Sequence, residues 1–432
     1  MSNTSNRRNF IRRLAAAGGA VAAPAFFTSA QGRELLLALE ARADQSAEAC
    51  ATDEDFWYYI QQSYTVSPSV LNLNNGGVSP QPLVVQEAVE RYNRLSNEAP
   101  SYYMWNVLDQ GREPLRTKLA ELAGCSPEEI AINRNASEAL ETIIFGLRLK
   151  AGDEVVLSKQ DYPNMINAWK QRALRDGIAL KWIDLPLPSE DRQALVDTYV
   201  AAFGPRTKVV HITHLINWMG QIIPAREIAA EARKRGIEVL VDAAHSFAHI
   251  DYTISDLDCD YFGTSLHKWL CAPFGSGMIY VRREKIKNLY PLLAAPDPES
   301  ENIRKFESLG TRSFAIEQAI GQAVNFHLMI GAQRKQQRLQ YLKTYWTSRV
   351  AGLPGISIGT SSHPDFACAI ALLQVEGKPP EEVMGYLFKE HKIHTVAIVW
   401  ENIKGVRITP NVYTTTYDLD RLVRAIEILS TK

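Results

Sequence analysis

Short apolar runs and helical segments alternate between residues 112 and 281, and this rhythm constrains the fold more than any other feature. Runs read as strands lie at 154–157, 179–183, 208–212, 238–241, 259–263 and 276–281. Between the earlier ones, apolar residues recur at helical spacing at 113–122, 136–147, 165–175 and 224–235. Gly124, Gly177 and Gly236 stand where helices end, and Pro224 where one begins. Such alternation predicts an α/β fold: a mainly parallel sheet with helices on both faces. After residue 300 the texture changes. One long helix is expected over 315–342, then a smaller α+β region with strands at 369–373 and 406–408 and a last helix from about Leu419. Residues 31–75, aromatic and proline-bearing in their second half, read as an N-terminal arm. The expected division is a leader at 1–30, the arm at 31–75, a large domain at 76–300 and a small one at 301–432.

The chain has 432 residues, 46% of them hydrophobic, enough for a large core. Its formal net charge of -1 offers no basic field for nucleic acid. The five cysteines (Cys50, Cys125, Cys259, Cys271 and Cys368) are scattered without C-x-x-C spacing, so neither a disulfide framework nor a metal site is expected.

The first thirty residues differ in kind. Arg7 and Arg8 precede Phe10 and Arg12; an uncharged, weakly apolar run over 14–27 follows, then Thr28-Ser29-Ala30. The pattern predicts a twin-arginine-type export signal cut after Ala30, and a periplasmic or extracellular protein. The run is too short for a comfortable membrane span, so no stable span is expected once the signal is removed.

One lysine invites a chemical reading. Lys268 sits in Thr264-Ser265-Leu266-His267-Lys268-Trp269, between two buried strands. Asp242 closes the apolar run before it, with His245 three residues on. Ligands bind at the carboxyl edge of open α/β sheets. An aspartate and a lysine brought there suit pyridoxal phosphate, whose aldehyde condenses with a lysine and whose ring nitrogen needs an acid. Alone the pair is common. A further part is the segment Asn133-Arg134-Asn135-Ala136-Ser137-Glu138, where a strand gives way to a helix N-terminus able to hold a phosphate.

Together these segments resemble the class V aminotransferases, fold-type I pyridoxal phosphate enzymes, and most closely an isopenicillin N epimerase-like branch. The resemblance rests on Asp242-Ala243-Ala244-His245, on Ser265-Leu266-His267-Lys268-Trp269-Leu270, on the 133–140 segment and on Asp161-Tyr162-Pro163, and it runs from about residue 70 to the end. It implies a seven-stranded-type sheet in the large domain and a homodimer with shared active sites. By the same resemblance Lys268 carries the cofactor and moves protons at Cα, and Asp242 pairs with the ring nitrogen. His245 and Asn217 meet the ring hydroxyl, and Tyr162 stacks on the ring. Ala136, Ser137, Ser265 and His267 hold the phosphate, joined by Thr311 from the neighbouring subunit. Arg407 grips the substrate carboxylate, beside a loop containing Gly76 and Gly77. Tyr102 is a further candidate for the pocket wall. No metal is implied.

Several reactions fit this set: transamination, epimerisation, or β-elimination by a C–S lyase. A cysteine desulfurase is disfavoured, because 391–400 carries no cysteine and Cys368 lies too far upstream. A non-catalytic amino-acid-binding module on the same fold is the reading from outside enzymology.

Overall fold

The computed structural model describes residues 29–431, so the proposed export signal lies almost wholly outside them. In chain order the strands are β1 Leu71–Asn72, β2 Ile130–Asn133, β3 Glu154–Ser158, β4 Ala179–Ile183, β5 Thr207–Thr213, β6 Glu238–Asp242, β7 Tyr261–Ser265, β8 Gly277–Val281, β9 Ile356–Ile358, β10 Ala371–Val375, β11 Ile393–His394, β12 Val396–Trp400 and β13 Ile403–Ile408.

Seven of them form the large sheet, in the order β2-β8-β7-β6-β5-β3-β4. All neighbours are parallel except β8, which runs against both β2 and β7. Two successive reversals leave β2 parallel to β7, so the carboxyl ends of β2, β5, β6 and β7 share one edge. Register lines them up: Thr213 opposes Asp242, Asp242 opposes Gly263, and Gly277 pairs with both Ser265 and Asn133. The sheet is covered on both faces. Val239 and Val241 enter one core and Leu240 the other, as side-chain alternation along a strand requires.

The smaller sheet, β12-β13-β10-β9, is antiparallel. Helices Ala332–Val350 and Thr416–Ser430 give it a separate core around Leu342, Trp346 and Leu422. A parallel bridge of β1 to β11 ties the N-terminal loop to this domain.

Two elements differ from the sequence reading. The expected helix over 315–342 is two helices, Phe314–Ile330 and Ala332–Val350, separated by Gly331 at φ 91° and ψ 135°. A glycine takes that conformation without a side-chain clash, and apolar periodicity alone does not register it. The first helix buries Ala319, Ile320 and Ala323 in the large core, the second Leu342 and Trp346 in the small one. Residues 31–75, read as an arm, hold three short helices, Ala30–Ala41, Ala47–Ala51 and Glu54–Gln61. Leu35, Phe56 and Ile60 on them are fully buried in the large core, and Arg338 pairs with Glu54. Among the described residues no helix is long and apolar enough to cross a membrane.

Candidate active site

The turn after β7 is pinned by its own backbone. Leu266 N–H donates to Ser276 O, Cys271 N–H to Lys268 O and Ala272 N–H to Leu266 O. Leu266 and Trp269 are fully buried, which anchors the turn on both sides of Lys268. The lysine lies half-buried, its Nζ 3.0 Å from His245 Nε2. Burial pushes its pKa down to about 8; nearby Asp242 opposes this and the Arg407 charge adds to it. A lysine with that value supplies free amine near neutral pH.

Asp242, 4% exposed, closes β6, and its Oδ1 accepts the Ala244 N–H at 2.9 Å. Burial raises its pKa, while that hydrogen bond and Lys268 act the other way. Its second oxygen has no hydrogen-bond partner among the described residues. Close enough to feel its charge is a second buried carboxyl, Asp161, linked through Thr213, the residue opposite Asp242 on β5. It accepts from Thr213 Oγ1 at 2.7 Å and from Ser158 N–H at 2.9 Å, and burial raises its pKa to about 7.

The helix Ala136–Gly146 starts at this edge. Asn135 caps it by accepting the Glu138 N–H, and Ser265 Oγ accepts the Ala136 N–H at 2.9 Å. Ser265 accepts there, so its own proton is available to a further acceptor. Ser137 is half-buried, and its hydroxyl has no partner among the described residues. A Cβ on Gly277 would come within 2.6 Å of Asn135 backbone, so this glycine lets the cradle lie directly on β8. His267 donates from Nδ1 to Ser276 O at 2.9 Å, which leaves Nε2 free.

Arg407 arrives from the small domain on β13 and is 7% exposed. It donates to Asn217 O at 2.8 Å and to Asn74 Oδ1 at 3.1 Å, and its Nε has no partner. No carboxylate pairs with it among the described residues. Burial lowers its pKa to about 10. A buried guanidinium held only by neutral oxygens is costly unless an anion arrives. Asn217 is itself buried with an unpartnered Oδ1. Gly76 lies against Arg407, a Cβ there falling 3.4 Å from the guanidinium carbon, and its N–H donates to Thr409 Oγ1. Gly77 is exposed beside it. Ser79 N–H donates to His267 O, joining this loop to the Lys268 turn.

Tyr162 stands at the start of helix Pro163–Asp176, 39% exposed, its ring 6.5 Å from Trp218. Trp218 stacks on Trp400 of the small domain at 5.3 Å and 21°. Both indole N–H groups are tied to backbone, at Gln160 O and Lys159 O, so only ring faces remain. Tyr102, 58% exposed, and Thr311, in an exposed loop, form no hydrogen bond, ion pair or ring contact with these residues among the described ones. The expectation for Thr311 concerns a second subunit.

Asp161 and the Trp269 indole have no role in the sequence expectations, and Asn74 only a place in the loop expected to line the substrate pocket. Asn74 adjoins Asn75-Gly76-Gly77, so a polar loop beside glycines was the available signal. Asp161 had only its place next to Tyr162.

Pyridoxal phosphate fits these residues on their own chemistry. The open Asp242 oxygen suits the ring nitrogen, the orphaned Asn217 amide a ring substituent, and the helix N-terminus with Ser137 and Ser265 the phosphate. Fold and site together define a fold-type I pyridoxal-phosphate-dependent enzyme. Within that class, residues 71–422 match the family described as Aminotransferase class-V, and the chain belongs to it. It is 29% identical over 393 residues to isopenicillin N epimerase of Streptomyces clavuligerus, covering 87% of this chain and 98% of that protein. A probable cysteine desulfurase of Synechocystis is 28% identical over 330 residues, 72% of this chain and 77% of that one. A solved structure of the cystine C–S lyase C-DES, a lysine-to-alanine mutant with glycine covalently linked to its PLP cofactor, superposes with a TM-score of 0.75. It shares 21% identity and covers 85% of this chain and 98% of its own.

Proposed function

We propose that this protein moves a proton at the Cα of an amino acid whose carboxylate is held by Arg407, as a transaminase or an epimerase. The carrying observation is Arg407: buried, without a carboxylate partner among the described residues, and presented by a second domain at the edge that carries Lys268. A planar fork of donors matches a carboxylate in charge and shape. Bound pyridoxal phosphate supplies the electron sink that makes Cα acidic. Asp242 keeps a proton on the ring nitrogen, and Lys268 Nζ, a free amine above about pH 8, takes and returns the Cα proton. Asn217 and Asn74 hold the Arg407 fork in place from behind.

The cysteines support this reading over desulfuration. None of the five is in a disulfide; Cys50, Cys259, Cys271 and Cys368 are buried and Cys125 half-buried. Burial raises the Cys368 thiol to about 12 and the Cys125 thiol to about 12, far from a thiolate at neutral pH. β-Elimination needs no thiol and is the second reading, favoured by the fold shared with a cystine C–S lyase. Export by residues 1–30 and a homodimer that brings Thr311 to a partner's phosphate cradle complete the proposal.

Single turnover in D2O against a panel of amino acids tests it. A keto acid identifies a transaminase. Deuterium at Cα with scrambled chirality identifies an epimerase. Pyruvate and ammonia released together with sulfide from cysteine, or with cysteine persulfide from cystine, mean elimination and overturn the first reading. Lys268→Ala abolishes all three for an enzyme, whereas a binding module keeps its amino-acid affinity.

A further inference from the structure

The ring of His245 has hydrogen-bond partners on both nitrogens. Trp269 Nε1 donates to its Nδ1 at 3.4 Å, and Lys268 Nζ lies 3.0 Å from its Nε2. An indole nitrogen has a proton and no lone pair, so it only donates. A proton on His245 Nδ1 would set two N–H groups head to head. The Nδ1 lone pair therefore faces Trp269, and in the neutral ring the proton sits on Nε2.

The indole is held where it can do this. Its ring stacks on His249 at 3.6 Å and 15°. His249 is fixed in turn, donating from Nδ1 to His245 O at 2.7 Å and accepting the Ala369 N–H on Nε2 at 3.0 Å. Buried Lys335 donates from Nζ to the Trp269 carbonyl. Backbone, stack and cation thus clamp one indole against one imidazole nitrogen.

We propose that Trp269 is a positioning residue whose indole N–H sets the tautomer of His245, making Nε2–H a donor toward Lys268 Nζ and toward the ring oxygen of bound cofactor. Such a donor favours the free amine over the ammonium. It also favours an anionic oxygen over a hydroxyl. The opposite tautomer would favour the ammonium and the hydroxyl. The other charged or titratable groups facing this pair are Asp242, Arg407, His249 and His267; burial keeps His249 neutral, its pKa at about 3. The half of the proposal that concerns the cofactor rests on the proposed function. The tautomer is a property of the protein alone.

Two measurements separate these halves. Cofactor-free protein with ring-15N-labelled histidine is observed at pH 9, where Lys268 is amine, with the His245 signals assigned by their loss in His245→Asn. The expected result is the Nε2–H form for His245 and the Nδ1–H form for His249. Finding Nδ1–H on His245 in the unmodified protein overturns the proposal, and that measurement needs no variant to fold. Trp269→Phe keeps a ring on His249 and removes the N–H. It is expected to give mixed tautomers at His245 and to raise the midpoint of the pH dependence of pyridoxal phosphate capture by about one unit, from the value near 8 expected of the unmodified protein's Lys268. A folded Trp269→Phe protein with tautomer and midpoint both unchanged overturns the role of the indole. Failure to capture pyridoxal phosphate at all, with the Nε2–H form present, sinks the proposed function and leaves the tautomer standing.

Discussion

Arg407 is a buried cation and Lys268 a half-buried amine, and each carries a distinct prediction. Charge-assisted bonds to a buried partner are worth about 1.5–3 kcal/mol. Arg407→Gln is therefore expected to raise KM for the amino acid by about 10–150-fold while cofactor binding stays near normal, which steady-state kinetics and cofactor titration check together. Arg407→Lys should recover only part, since an ammonium lacks the fork. For Lys268 the folded-state pKa of about 8 lies below the usual 10.5, so folding favours the amine. The cofactor-free protein should then gain stability as pH rises from about 8 to 10.5; below 8 both states are protonated, and the cost of burying the ammonium is full and independent of pH. Lys305, also lowered to about 8, titrates in the same window, so the quantity to read is the difference from Lys268→Met. That difference should shrink by about 2 kcal/mol across the window, the shift being discounted for the lysine's partial exposure. A pH-independent difference in denaturant unfolding would contradict the burial of Lys268.

At the scale of elements, two glycines are constrained in different ways. Gly277 allows close approach of β8 to the cradle, so Gly277→Ala must push Asn135 away. Overpacking of this kind costs about 1–3 kcal/mol. The expected signature is phosphate-end affinity for pyridoxal phosphate falling at least tenfold, more than affinity for pyridoxal, measured by absorbance titration. Gly331, at φ 91°, separates two helices whose apolar faces serve different cores. Gly331→Ala should lower stability by about 1–2 kcal/mol in thermal or denaturant unfolding. These positions also mark what the sequence conveys. The strand runs at 179–183 and 276–281 and the helix caps at Gly124 and Gly177 are local patterns, and β4 Ala179–Ile183, β8 Gly277–Val281 and the left-handed caps match them. The break at Gly331 is a tertiary choice imposed by two cores, and periodicity runs straight through it. The buried helices before residue 62 were similarly hidden, because aromatic spacing there does not reveal what the rings pack against.

On the scale of the whole molecule, the candidate site lies where the two sheets' elements meet. The large sheet supplies Asp242, Lys268 and the cradle; the small domain supplies Arg407 and Trp400; the loop at 74–79 is bonded to both. Motif words made the large-domain half legible from sequence, since Asp242, Ser265 and Lys268 fall on adjacent strand ends. The Asn74 contact to Arg407 and the Trp218–Trp400 stack join residues far apart in the chain, and no local pattern encodes them. Trp400→Ala should loosen the domain contact by about 1–2 kcal/mol and raise KM more than it lowers kcat. The central claim is that Lys268 carries the cofactor, and chemical trapping tests it most directly. Protein loaded with pyridoxal phosphate is reduced with borohydride, digested and mapped by mass spectrometry. The account predicts a pyridoxyl group on the peptide containing Lys268 and on no other lysine. Label on a different lysine, or specific label persisting in Lys268→Ala, would contradict it.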